Sequence, residues 1–131
     1  MAFSDEIVKA YAGRPACRNG TLETADGWIQ FEIATVLGVE AGTVILCAFT
    51  AWNVTAGTDA EGAALDPLPV IRISNEPDPD LRDARSLTIA PDRDAKGFTF
   101  HPGEYVRSVW LKAEGADCAY EFLAEHEATA R

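Results

Sequence analysis

The stretch FTFHPGEYVRSVWLKAEG, residues 98–115, carries the clearest fold signal in the chain. Phe98 and Phe100 are separated by one residue, so an extended strand would place both on the same face. Residues 101–103, HPG, predict a turn, because Pro restricts φ and Gly accepts a positive φ. Beyond the turn, the apolar side chains that share one face are those of Tyr105, Val109 and Leu111. The stretch therefore predicts two strands that meet at a Pro-Gly corner.

The same period of two recurs on both sides of this stretch. Residues 28–36, WIQFEIATV, alternate apolar and polar side chains, as a half-buried strand does. Residues 43–52, TVILCAFTAW, are β-branched and aromatic on both faces, which predicts a central strand covered on both sides. Further strands are predicted over residues 69–73, 85–91 (with Leu87 and Ile89 inward) and 118–125.

Turn and loop signals separate these strands. Asn19-Gly20 and Asp26-Gly27 are dipeptides typical of tight turns, and residues 92–97 and 115–117 also predict turns. Residues 53–68 and 74–84 predict longer loops. About seven to eight short strands in this arrangement predict an all-β fold, either an antiparallel β-sandwich or a small barrel. We expect one such domain over residues 15–126.

The ends of the chain carry different patterns. Residues 4–12 predict a short helix within an N-terminal arm, residues 1–14, and Ile7 and Tyr11 lie on one face of that helix. Helices shorter than about 12 residues are marginal in water, so this one is expected to dock on its own domain or on a neighbouring subunit. Residues 127–131 are expected to be a frayed tail.

Composition favours a protein that binds neither nucleic acid nor membrane. The chain has 21 acidic and 11 basic residues, a net charge of −10, and such a surface repels phosphate backbones. The longest apolar run, residues 44–51, is far shorter than the roughly 20 residues needed to cross a bilayer. The first residues contain acids and no apolar core of a signal peptide, so we expect a cytoplasmic location.

No pattern in the sequence predicts catalysis, a cofactor or a metal. Cys17, Cys47 and Cys118 are widely spaced, which favours small buried side chains over a zinc site, although a pair could form if the fold joined two of them. The only histidines, His101 and His126, have no adjacent nucleophile, and no nucleotide-binding, hydrolase or metalloprotease motif is present. We therefore expect a protein that is not an enzyme.

Two acidic segments raise the question of calcium. Residues 92–97 begin like an EF-hand loop, but Lys96 replaces an oxygen ligand and Gly103 stands where the bidentate Glu belongs. Asp78, Asp80 and Asp83 could form a looser cage of oxygens, with neighbouring arginines as the alternative partners. A solvated turn is the better interpretation of residues 92–97.

The tryptophans leave two functions open. Aromatic side chains concentrate at protein interfaces, and the interface candidates are Ile7, Tyr11, Trp52, Tyr105 and Trp110. Alternatively, flat indole rings stack on sugars in sandwich lectins, and the candidates for this role are Trp28, Trp52 and Trp110.

Residues 84–125 resemble small β proteins of tailed-phage and gene-transfer-agent particles. The elements that carry the resemblance are residues 84–87, residues 98–100, the Pro102-Gly103 corner and the Arg-containing strand at residues 106–111. The resemblance implies a non-enzymatic decoration, spike-base or connector protein that resides in the virion after assembly in the host cytoplasm. It also implies that the partners are copies of the same chain and other virion proteins.

Overall fold

The computed structural model describes residues 16–32, 35–36, 44–99 and 108–128. These residues form eight strands: β1 (Ala16–Leu22), β2 (Ile29–Glu32), β3 (Val44–Asn53), β4 (Val70–Ser74), β5 (Leu87–Ile89), β6 (Asp94–Thr99), β7 (Ser108–Glu114) and β8 (Cys118–Ala128). A 3-10 turn spans Thr24–Asp26, and a short helix, α1, spans Pro79–Arg82. The described part of the chain is thus mostly β, as predicted.

The strands form two four-stranded sheets. Sheet A has the order β1-β8-β3-β6 and sheet B the order β2-β7-β4-β5, and every pairing between these strands is antiparallel. Four of the paired strands are nested along the sequence, from the outermost pair to the innermost: β1 with β8, β2 with β7, β3 with β6 and β4 with β5. A long hairpin rolled up in this way gives the strand order of a jelly roll. The described sheets are not closed, so the barrel alternative is wrong.

The hydrophobic core lies between the two sheets, because each strand turns every second side chain inward. The largest fully buried apolar side chains are those of Phe49, Phe122, Ile71, Ile73, Ile89 and Leu111. Phe31 of sheet B meets the rings of Tyr120 and Phe122 in sheet A edge-on, with centroid distances of 5.5 and 5.2 Å. Each such apolar side chain contributes roughly 1.5–3 kcal/mol on full burial, so this shared core holds the sheets together.

The structure confirms that residues 43–52 contain a central strand, but its two faces differ. Phe49, Ala51 and Asn53 are fully buried on the inner side, whereas Ala48, Thr50 and Trp52 remain half-exposed on the outer side. The prediction that both faces are covered is therefore wrong for the outer face. Sheet A keeps one side of β3 open to solvent.

Two local predictions near β5 and β6 are also wrong. Leu87 is 41% exposed, because its strand lies at the edge of sheet B, and only Ile89 points into the core. The predicted turn at residues 92–97 is shorter, since β6 already begins at Asp94. Asp92 and Arg93 both have positive φ, 64° and 68°, in the tight turn that carries the chain from β5 of sheet B into β6 of sheet A.

Asn19-Gly20 is not a turn, since both residues lie within β1. Gly20 is required there by the core. A Cβ on Gly20 would lie 2.7 Å from the hydroxyl oxygen of Tyr120, the residue directly opposite in β8. The turns predicted at Asp26-Gly27 and residues 115–117 are confirmed, with φ of 64° at Gly27 and 84° at Gly115.

The Asn53-Val54-Thr55 sequence joins the two sheets at one end of the molecule. Asn53 is fully buried at the end of β3, and its Nδ2 donates hydrogen bonds to the carbonyls of Pro69 (3.0 Å) and Ile89 (3.1 Å). Its Oδ1 accepts from the backbone N–H of Thr55 at 3.2 Å. The Asn side chain therefore satisfies three main-chain groups, two of them buried, on both sides of the core.

Several predictions fall outside the described residues. These are the helix over residues 4–12 with Ile7 and Tyr11, the corner at residues 101–103 and Tyr105. At the other end of the chain, β8 continues to Ala128, beyond the predicted domain limit at residue 126. No helix in the described part of the chain has the length and apolarity that a membrane crossing needs.

Candidate functional site on the outer faces of the sheets

Part of the outer face of sheet B, around Trp28, Trp110 and Lys112, is covered by residues 75–86, which contain α1. Arg82 is only 8% exposed, and its guanidinium lies 4.0 Å from the ring centroid of Trp110 in β7. Its Nε and Nη2 each donate to a backbone carbonyl at 2.9 Å, those of Glu76 and Pro77 respectively. The loop predicted at residues 74–84 thus includes a helix, and Arg82 fastens that helix to the sheet.

Asp83 makes a second attachment between this segment and sheet B. Its Oδ1 accepts a hydrogen bond from Lys112 Nζ at 2.9 Å and another from Trp28 Nε1 at 3.0 Å. Lys112 Nζ also lies 4.9 Å from the Trp28 ring centroid. The pKa of Asp83 is lowered, first by the bond from Lys112 and then by that from Trp28, because both stabilise the carboxylate.

The acids of residues 78–83 have separate structural roles. Asp78 accepts from the backbone N–H of Asp80 at 3.0 Å as the N-cap of α1, and Asp83 binds sheet B. Arg85 pairs with Glu76 at 2.8 Å and lowers its pKa through that hydrogen bond. Among the side chains that the structure describes, no three His, Cys, Asp or Glu groups converge as metal ligands would.

The outer face of sheet A has a different character. Its centre, the Trp52 face, comprises the outward side chains of two paired strands: Ala48, Thr50 and Trp52 of β3 and Glu121, Leu123 and Glu125 of β8. Small residues at the edges extend the face, with Cys17 and Asn19 on β1 and Ala95 and Gly97 on β6. The face is therefore shallow, and Trp52 and Leu123 are its large apolar groups.

A depression of about 250 Å³ lies beside Trp52. Leu123, Cys17, Asn19 and Glu121 contribute to its lining, so apolar and polar groups meet there. Cys17 is exposed, which contradicts the expectation of a buried thiol, because it lies on the outward side of an edge strand. Cys118 is buried as expected, and burial raises the pKa of its thiol.

The charges of the Trp52 face lie at its two ends. At one end, Arg93 from the turn between β5 and β6 places Nη1 3.7 Å from a carboxylate oxygen of Glu121. The Arg93 side chain is 70% exposed and that of Glu121 is 45% exposed. At the other end, Glu125 is exposed and makes no ion pair with any described residue. Of the side chains described on this face, an accessible cation and an unpaired anion thus lie at opposite ends.

The structure separates the tryptophans that the sequence grouped together. Trp28 and Trp110 lie on sheet B with a cation near each ring, whereas Trp52 lies on the open face of sheet A. Sequence analysis missed Arg93 and Leu123. Leu123 could have been found, because it occupies an outward position between Glu121 and Glu125 in the alternation of β8. Arg93 could not, since its place over sheet A depends on the turn geometry.

Comparison with known proteins identifies no family. No family model matches the chain, and no curated protein matches it at a significant level. The geometry of the two outer faces therefore carries the functional argument.

Proposed function

We propose that this protein is a non-enzymatic structural subunit of a phage-like particle, a decoration, spike-base or connector protein that assembles through protein–protein contacts. Its partners are copies of itself and other virion proteins, and it resides in the virion after assembly in the host cytoplasm. The jelly-roll strand order agrees with this role, because viral capsid domains use it. Lectins and cupins use the same order, so the strand order alone is only an analogy.

The observation that carries the proposal is the contrast between the two outer faces. Within the described part of the chain, Arg82 and Asp83 lie against Trp110 and Trp28 on sheet B, whereas Trp52 on sheet A has no such cation over its ring, although all three indoles are half-exposed. In a chain of net charge −10, a face whose described side chains are small and include one unpaired acid is where another protein can approach without bringing many acids together. Aromatic anchors such as Trp52 are typical of interface centres.

The proposal is tested in particles from the organism that encodes the protein. Nuclease-treated particles purified on a density gradient are analysed by quantitative mass spectrometry, and the protein should co-purify at a fixed ratio to the major capsid protein. A protein found only in the soluble fraction, at every stage of particle production, would contradict the proposal.

A matched pair of variants links particle incorporation to the face. Trp52→Glu places a charge at the centre of the Trp52 face, and we expect the variant to be lost from particles. Thr88→Glu places the same charge on β5 of sheet B, where Thr88 is exposed, and should be incorporated normally. Circular dichroism melting of both variants separates a lost contact from a lost fold. Equal incorporation of two folded variants would exclude this face as the contact.

The depression beside Trp52 supports one alternative, a carbohydrate-binding module. An indole next to the polar groups of Asn19 and Glu121 suits a sugar ring, which needs both stacking and hydrogen bonds. On a glycan array, binding should then disappear in Trp52→Ala and persist in Trp28→Ala and Trp110→Ala. Failure of the wild-type protein to bind any glycan would count against this alternative.

A further inference from the structure

We infer that the Trp52 face binds the Trp52 face of a second copy, in a two-fold arrangement that brings Arg93 of each copy to Glu125 of the other. This inference rests on the proposed function, since it names the partner of the same surface. It identifies one contact of the chain, and contacts with other virion proteins are separate.

The distribution of charge favours a second copy as the partner. Two chains of net charge −10 repel each other over most of their surfaces, so they can associate only where the local charge is low or complementary. On the Trp52 face, Arg93 neutralises Glu121, and Glu125 is the acid without an ion pair among the described side chains. Among the described side chains of the face, Arg93 is an exposed cation and Glu125 an unpaired anion at the opposite end, so two copies can bring these opposite charges together.

The positions of these charges select the orientation. Glu121, beside Arg93, and Glu125 are four residues apart in β8, which is about 13 Å along a strand. When two faces meet, the two-fold axis lies in the plane between them. An axis parallel to the strands, through the middle of the face, would leave both Glu125 side chains at one end and both Arg93 side chains at the other. An axis across the strands brings each Glu125 to the end of the other copy that holds Arg93 and Glu121, where Arg93 can bridge the two carboxylates, and is therefore favoured.

The same axis makes a prediction about Cys17. Cys17 pairs with Leu123 in register and so lies midway between the two charged ends of the face. Rotation about an axis across the strands keeps β1 on the same side, so Cys17 of one copy faces Cys17 of the other. Packed sheets are about 10 Å apart, a distance that a short bis-maleimide spans. Rotation about an axis along the strands would instead place Cys17 opposite β6.

The size of the face sets the expected strength. Four strands at about 4.8 Å spacing and five residues of length cover roughly 300 Å² per copy, far below the ~800 Å² of a standard interface. We therefore expect a weak dimer, populated at concentrations of about 100 µM and above. Many copies held on one particle would strengthen the contact through their high local concentration.

Charge-swap variants test the arrangement by sedimentation velocity from about 10 µM to about 1 mM at low salt. Arg93→Glu and Glu125→Arg should each weaken the dimer by about tenfold, because two attractions become two repulsions. The double variant should recover most of this loss, since the pair is restored with its signs exchanged. Arg85→Glu, which changes the net charge as Arg93→Glu does but on the segment that covers sheet B, is the matched control for Arg93→Glu and should dimerise as the wild type does.

Cross-linking with a bis-maleimide provides the second measurement, because it uses the unaltered face. The wild-type protein should give a covalent dimer above about 100 µM, and Cys17→Ser should abolish it. The arrangement would be overturned if either single variant dimerised as tightly as the wild type. It would also be overturned if the double variant dimerised as weakly as the single variants. A chain that stays monomeric and does not cross-link, yet is found in particles, would overturn this inference and leave the virion role standing. A chain that dimerises as described but never enters particles would support this inference and contradict the virion role.

Discussion

Replacement of Asn53 by Ala should destabilise the protein more than any surface substitution, because this side chain links the two sheets at one end of the core. It makes three hydrogen bonds to main-chain groups, to Pro69, Ile89 and Thr55, while fully buried. Three such bonds contribute about 1 kcal/mol each net, and the variant also leaves a small cavity and buried groups without partners. We expect a loss of about 3–5 kcal/mol from a total stability of roughly 5–15 kcal/mol.

Urea unfolding followed by tryptophan fluorescence and circular dichroism measures this loss, provided that both probes report one transition. Asn19→Ala is the matched control, because Asn19 is exposed on the outer side of an edge strand, and its effect should stay within about 0.5 kcal/mol. An Asn53→Ala variant within about 1 kcal/mol of the wild type would refute the reasoning.

Asn53→Asp separates hydrogen bonding from packing, since the two side chains have the same shape. An ionised carboxylate cannot donate to the carbonyls of Pro69 and Ile89 and would lie buried against two oxygens. Burial raises the pKa of such a carboxyl, so the protonated form is favoured in the folded state. Relative to the wild type, the variant should therefore recover stability as pH falls from neutrality, and a pH-independent deficit would show that packing dominates.

Three further outcomes follow from other contacts. Arg82→Ala should lower the free energy of unfolding, measured in urea, by about 2–4 kcal/mol, because it removes two hydrogen bonds and the cation over the Trp110 ring. The same variant should make Trp110 more accessible to acrylamide quenching. Unchanged quenching would show that residues 75–86 stay in place without Arg82. The pKa of Asp83 is lowered in the folded state, first by the hydrogen bond from Lys112. The ionised Asp83 therefore stabilises the fold above the usual Asp pKa, and this stabilisation is lost as pH falls through the folded-state pKa. Asp83→Asn should accordingly flatten the acid limb of a plot of urea midpoint against pH, and a limb as steep as that of the wild type would contradict this role. Gly97→Ala should destabilise the fold by about 1–3 kcal/mol or more, because the added Cβ would meet a main-chain carbonyl of the neighbouring strand β3. A melting temperature by calorimetry equal to that of the wild type would contradict this clash.

The strands were predictable where the alternation of side chains is local and strong. Strands are predicted at residues 43–52 and 106–111 because β-branched and aromatic residues at period two leave few alternatives, and β3 and β7 lie there with shifted ends. Asn19-Gly20 shows where this reasoning fails. Its dipeptide is a turn signal, yet the ring of Tyr120, distant in sequence, needs the space that only Gly leaves in β1. A contact between remote residues overrides a local preference at that position.

The candidate site was predicted only in part. Trp52 is predicted as an interface residue from its type, and the structure places it on the outer face of sheet A. Ile7, Tyr11 and Tyr105 lie outside the described residues, and the interface role of all four stays a prediction. The sequence could not distinguish Trp52 from Trp110, because both occupy alternating positions in apolar strands. The difference arises from Arg82, which folds over Trp110 from another part of the chain.

The sequence alone determined that the chain builds antiparallel strands with one apolar side each, because side-chain alternation and turn residues act between neighbours along the chain. Tertiary structure alone decided which outer face is open. The strand order brings β3 and β8 together to form the Trp52 face, and the fold lays Arg82 and Asp83 over sheet B instead. Such choices depend on contacts between residues far apart in sequence, so no local pattern contains them.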